Sequence, residues 1–111
     1  MDIQFASARL ERIFNSQQQL LKTYGKETVR KIRIRMMVLR SAPTLSTVPT
    51  KKPDRCHPLK GDRKGEYAVD LNHPFRLVFE PAGDPLPVKG DGSTDVSAVT
   101  VIRILRVEDY H

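Results

Sequence analysis

The sequence predicts an α+β domain, with two N-terminal helices packed on a small, mainly antiparallel sheet in the order β-α-α-β-β-β. Three observations predict it. Apolar residues recur at helical spacing between residues 7 and 42, they alternate with polar ones between 66 and 80, and residues 99–107 form a nearly apolar, β-branched run. At 111 residues the chain reads as one domain, 1–111, long enough to bury a modest core without staples.

Each element has its own signal. Ile3 and Phe5 alternate with polar neighbours, which gives a short first strand. Ser7 caps a helix bearing Leu10, Ile13 and Phe14, and the pattern continues through Leu20 and Leu21 to Tyr24, where Gly25 stops it. A second helix starts near Glu27 with Val29, Ile32, Met36 and Leu39 as its buried stripe. Arg30, Lys31, Arg33, Arg35 and Arg40 flank that stripe and are expected in solvent, and Pro43 ends the helix near Ala42. Thr44 to Arg55 reads as loop, and Gly61 and Gly65 punctuate a second turn. Tyr67, Val69 and Leu71, then Phe75, Leu77 and Phe79, alternate with their neighbours around Asn72-His73-Pro74, so a hairpin is predicted. Pro81 to Ser97, with three Pro and three Gly, reads as a long mobile loop. Val99 to Val107 suits a central strand covered on both sides.

The formal charge is +6 and the sequence pI about 9.8, a balance that favours a polyanion such as RNA, DNA or an acidic protein. From Lys22 to Lys64 there are 13 Lys/Arg against 3 Asp/Glu, a local +10, while the remainder carries −4. The middle of the chain is therefore the expected polyanion-facing part, with Arg30, Arg33 and Arg35 on the second helix and Arg63 and Lys64 in the Gly-bounded turn as RNA-binding candidates. Cys56 is the only cysteine, so an internal disulfide and a cysteine-cluster zinc site are excluded; a reducing cytosol fits. No apolar run approaches the ~20 residues a membrane span needs, and the N-terminus, with Asp2, lacks a signal-peptide pattern.

Two distant segments carry the chemistry. They are His57-Pro58-Leu59-Lys60-Gly61-Asp62-Arg63-Lys64-Gly65 and Glu108-Asp109-Tyr110-His111. Together they hold two imidazoles, a phenol, carboxylates and several cations. Metal-free RNA cleavage uses such groups: a base on the 2′-OH, cations on the phosphate, an acid for the leaving oxygen. More ordinary readings stand beside this one. His57 is also a plain loop histidine by position, and Lys60, Arg63 and Lys64 a solvated turn. Arg76 reads equally as a phosphate clamp or as a structural ion pair with Asp70 or Glu80. Asp109, Tyr110 and His111 would be a frayed tail if the apolar strand before them did not tie them down. Cys56 reads as a bystander, since RNA supplies its own nucleophile in the 2′-OH.

The element order, the run His57–Gly65, Phe75-Arg76-Leu77-Val78-Phe79-Glu80 and the ending Glu108-Asp109-Tyr110-His111 resemble the HigB toxins of the RelE/ParE superfamily of bacterial type II toxin–antitoxin systems. The resemblance covers roughly Leu10 to the C-terminus. It implies a ribosome-dependent endoribonuclease (an mRNA interferase) that cuts mRNA in the decoding site, with no metal or organic cofactor. It also implies a cytoplasmic location, no membrane, and a helix-turn-helix, HigA-like antitoxin as partner besides ribosome and mRNA. His57, Lys60, Arg76, Asp109, Tyr110 and His111 fall on the family's functional positions. The α-carboxylate beside the His111 imidazole favours an acid there and leaves the base to His57. The Pro81–Ser97 and Thr44–Pro53 segments are longer than the pattern leads one to expect. Two other functions keep the same fold or charge: a non-catalytic, ParE-like gyrase poison, and a basic RNA-binding regulatory module.

Overall fold

The computed structural model describes residues 1–109. Its strands β1 (Asp2–Phe5), β2 (His57–Pro58), β3 (Tyr67–Asp70), β4 (Phe75–Ala82) and β5 (Val101–Asp109) form one sheet in the order β1-β5-β4-β3-β2. Only the β1–β5 pair is parallel; the other three pairs are antiparallel. Helices α1 (Ala8–Phe14), α2 (Gln17–Tyr24) and α3 (Lys26–Ser41) cover one face of the sheet. The fold class is the predicted one.

The predicted stripe of α3 is the heart of the core. Val29, Ile32, Met36 and Leu39 are buried against Val69, Leu77, Phe79, Ile102 and Ile104 of the sheet. Each such side chain contributes roughly 1.5–3 kcal/mol when fully buried, which is why so basic a helix still docks. Gly25, at φ +84°, separates α2 from α3, a backbone that residues with a Cβ rarely adopt.

Three expectations needed correction. The single first helix is two: Asn15 and Ser16 interrupt it, and the Ser16 hydroxyl accepts from the Gln19 N–H at 3.2 Å as a new N-cap. The apolar spacing runs straight through that break, so periodicity alone could not find it. The Pro81–Ser97 segment is a hydrogen-bonded structure rather than a loose loop. Pro81 and Ala82 belong to β4, Val88 bridges Thr94, and Asp91 and Asp95 each bind the N–H and hydroxyl of the serine two residues on. The Thr44–Arg55 segment is likewise fixed. It holds a 3₁₀ turn at Leu45–Thr47, buries Leu45 and Val48, and bonds the 96–99 strip through Leu45 N–H to Val99 O (3.1 Å) and Ser46 N–H to Val96 O (3.0 Å). The two long segments thus lock onto each other.

The third correction concerns β5. It is central, but only its helix-side face is fully covered, by Ile102 and Ile104. Between Val78 and Phe79 the β4–β5 register shifts: Phe79 faces Ile104 while Val78 faces Arg106. Leu105 is the extra residue of a bulge. A bulge reverses the alternation of everything beyond it. Before it, even-numbered residues of β5 enter the core; after it, Val107 packs on the core, and Arg106 and Glu108 stand on the open face.

Candidate nucleic-acid interface on the open face of the sheet

The open face is built in rows across the strands. One row reads His57, Ala68, Val78, Arg106; the next reads Asp70, Arg76, Glu108. The hairpin between β2 and β3 folds back over this face. Its base is closed by the Leu59 N–H on the Glu66 carbonyl (2.8 Å), and Leu59 packs on Ala68, Val78 and Leu105. That fold-over carries Arg63 and Glu66 across to β5.

The result is a cluster of three arginines around one carboxylate. Glu108 Oε2 accepts from Arg76 Nε at 2.8 Å and Nη2 at 2.5 Å, and also from Arg63 Nη1. Its Oε1 accepts from Arg106 Nε at 3.0 Å, and Arg106 Nη2 reaches Glu66 Oε1 at 2.7 Å. Arg76 is buried, its side chain 9% exposed, whereas that of Arg63 is 40% exposed. Although burial opposes ionisation of Glu108, its bonds to Arg76, Arg106 and Arg63 outweigh that, and its carboxyl is pulled down to about 2. So acidic a carboxyl is a poor base at neutral pH. Glu108 holds arginines; it does not move protons.

His57 lies at the other end of its row, three strand steps or roughly 14 Å from Arg106 along the sheet. Its Nδ1 stands 2.7 Å from the Arg55 carbonyl oxygen. A carbonyl can only accept, so Nδ1 carries the proton and, in the neutral ring, Nε2 is the unprotonated nitrogen. That tautomer suits a base. Arg55 itself, at φ +46°, grips Asp70 through two hydrogen bonds of 2.7 and 2.9 Å. Next to His57, the Cys56 thiol is pushed up to about 11, chiefly by burial and further by Asp54, which leaves it unreactive.

The expected site residues are therefore divided. Arg63 and Arg76 come together. Arg76 pairs with Glu108 and not with Asp70 or Glu80, which bind Arg55 and Arg103 respectively. Lys60 and Lys64 are exposed and line a separate groove with Tyr67 and the Asp91–Thr94 turn. Asp109 faces Phe75, on the side of β5 opposite Glu108. Tyr110 and His111 lie outside the described residues. Arg30 and Arg33 are exposed on the helical layer, on the far side of the molecule from Arg76.

Arg35 is a correction. Expected in solvent as an RNA contact, it is 4% exposed. Its Nε donates to the Asp70 carbonyl at 2.7 Å, Nη2 to the Pro53 carbonyl at 3.2 Å, and Nη1 lies 3.6 Å from Asp54. Position 35 falls one turn beyond Ile32 and beside Met36, within the buried arc of α3. The helix ties itself to the end of β3 there with a guanidinium. Arg106 and Glu66 were absent from the expected site; the bulge at Leu105 is what brings Arg106 to the open face. Among the described residues, no group of three or more His, Cys, Asp or Glu could hold a metal ion, and no helix is long and apolar enough to cross a membrane.

The fold is that of RelE/YoeB-type toxins. A YoeB/ParE toxin from Agrobacterium tumefaciens shares it with a TM-score of 0.59 at 14% identity, over 100% of both chains. YoeB from Staphylococcus aureus shares it in its complex with YefM (TM-score 0.55, 19% identity) and as a dimer (0.54, 20%), each over 100% of this chain and 97% of that one. No protein-family model matches the sequence, and no curated protein matches it. At these identities the likeness establishes architecture.

Proposed function

We propose that the chain is the toxin of a type II toxin–antitoxin pair, a HigB-type endoribonuclease that cuts mRNA on the ribosome. The observation that carries this is the arginine cluster on the open face of a toxin-type sheet, with a histidine of base-competent tautomer on that face, in the cross-strand row that ends at Arg106. RNA brings its own nucleophile, so the protein need only move protons and steady charge. His57 Nε2 takes the 2′-OH proton. Arg63 and Arg76 hold the scissile phosphate, and Lys60 and Lys64 guide the flanking strand. His111 returns a proton to the leaving 5′ oxygen, Asp109 orients an imidazole, and Tyr110 stacks on a base or donates a proton. No metal or organic cofactor takes part. Arg30 and Arg33 contact ribosomal RNA from the helical side.

The partner is a helix-turn-helix, HigA-like antitoxin in the same cytoplasm. YoeB of Staphylococcus aureus, solved with YefM as a toxin–antitoxin heterotetramer, lends the fold the precedent of an antitoxin partner. Exposed Ile34 and Met37 on α3 supply an apolar surface; Val38 is half-buried against the core. Primer extension on cellular mRNA after brief induction tests the proposal. Discrete cuts at fixed codon positions are expected. DNA damage without cuts would indicate a ParE-like poison, and neither outcome would indicate a non-catalytic RNA-binding module.

A further inference from the structure

Glu108 fills the centre of the arginine cluster more completely than an ion pair requires. One carboxylate takes guanidinium donors from Arg63, Arg76 and Arg106, and Glu66 takes the outer edge of Arg106. Three cations against two carboxylates leave the five side chains with a net positive charge. A phosphodiester resembles the Glu108 head group in what it presents: two equivalent oxygens sharing one negative charge, each able to accept several N–H bonds. The side chain of Arg63, on the folded-over hairpin, is far more exposed than that of Arg76, so the cluster opens to solvent on the Arg63 side.

We infer that Arg63, Arg76 and Arg106 form a seat for one RNA phosphodiester and that Glu108 is its internal stand-in. The carboxylate latches the three guanidiniums in position while the seat is empty, and an incoming phosphate displaces it. This rests on the RNA-cleaving reading above and adds to it a third phosphate-binding arginine and a built-in competitor. The latch has a functional consequence. A free anion must displace a tethered carboxylate and binds weakly. An RNA strand already held by Lys60 and Lys64 presents its phosphate at high local concentration and wins. The seat therefore selects for a strand over loose phosphate.

Inorganic phosphate titrated into the full chain at low ionic strength tests this, followed by NMR on the Nε–H resonances of Arg63, Arg76 and Arg106. In Glu108→Gln the amide oxygen still accepts, but the competing charge is gone; phosphate should bind about tenfold more tightly. Adding Arg106→Gln to that variant should erase the gain. In the unsubstituted chain, saturating phosphate should also move the Glu108 carboxyl carbon resonance, a readout that does not depend on how any variant folds. Unchanged or weaker phosphate binding by folded Glu108→Gln would overturn the inference. So would a Glu108 resonance that stays put at saturation, because a purely structural carboxylate keeps its arginines. Neither readout involves cleavage. A chain that cuts mRNA but shows neither effect loses the latch and keeps its function; one that shows both but cuts nothing loses the function alone.

Discussion

The two outer surfaces of the molecule carry cations in opposite states. On the open face of the sheet, Arg63, Arg76, Arg103 and Arg106 are all ion-paired, the last three at fixed register positions. On the helical layer, Arg30 and Arg33 are exposed, and among the described residues no carboxylate pairs with either. Net charge counts both sets alike; geometry does not. Paired arginines are held in place before any ligand arrives, which is what positioning a scissile phosphate needs. Unpaired ones sit on long, mobile stems and act as diffuse charge, which suits long-range attraction to a larger polyanion. Of these six, Arg30, Arg33 and Arg63 belong to the local +10 read from the sequence, while Arg76, Arg103 and Arg106 come from the net-acidic remainder.

The seam between those surfaces is Arg35, and it should show the largest effect. Arg35→Ala leaves Asp54 without its cation in a buried site and strips two carbonyls of their donors. It should cost about 3–5 kcal/mol in urea unfolding, the magnitude of breaking a buried ion pair. Its neighbour Arg33, two residues along the same helix, should cost under about 0.5 kcal/mol when changed to Ala, as exposed positions do. Equal costs would erase the distinction drawn between the two.

Function should divide the same way. Reversing Arg30 and Arg33 to Glu should weaken ribosome co-sedimentation and flatten its salt dependence, by a slope of roughly 0.7–0.9 for each phosphate that is no longer neutralised. A salt series that leaves co-sedimentation unchanged would remove the helical face from the account.

A smaller effect is expected from pH. The folded Glu108 carboxyl lies near 2, against an ordinary 4.5. A depressed folded pKa means that the unfolded chain takes up the proton first as pH falls. The stability Glu108 contributes is therefore full above about 4.5 and is lost progressively down to about 2. The difference in melting temperature between the wild type and Glu108→Gln should shrink across that window. A difference that stays constant from neutral pH down to 2 would mean that the three arginines do not favour the charged carboxylate.

How far the sequence foretold all this depends on which physical signal each part left. Helical spacing marked α3 and its stripe, and alternation marked the β3–β4 hairpin, because burial repeats along regular elements. The bulge at Leu105 left no such mark: Val101 to Val107 keeps its β character through it, yet the alternation reverses and places Arg106 and Glu108 beside Arg76. Arg35 misleads because a guanidinium reads as solvated by type, while its position on the helix lies in the buried arc. Ser16 is a readable cap, and Asp91-Gly92-Ser93 and Asp95-Val96-Ser97 are readable Asx turns, so the helix break and the folded 81–97 segment do carry local signals in the sequence. The pairing of Arg63 with Glu108 needed the fold itself, since it spans the hairpin and the last strand.

The most direct measurement is the rate of mRNA cleavage on purified, programmed ribosomes, taken across ribosome concentration, for His57→Ala and for Arg30→Glu/Arg33→Glu. The account predicts that His57→Ala, with an unchanged melting temperature, loses about 10²–10⁴-fold in the maximal rate, the contribution of one acid–base group. The helical-face variant should reach the wild-type maximal rate but need more ribosomes to do so. Full maximal cleavage by folded His57→Ala, or a lost maximal rate in the helical-face variant alone, would contradict the assignment of the chemistry to the sheet.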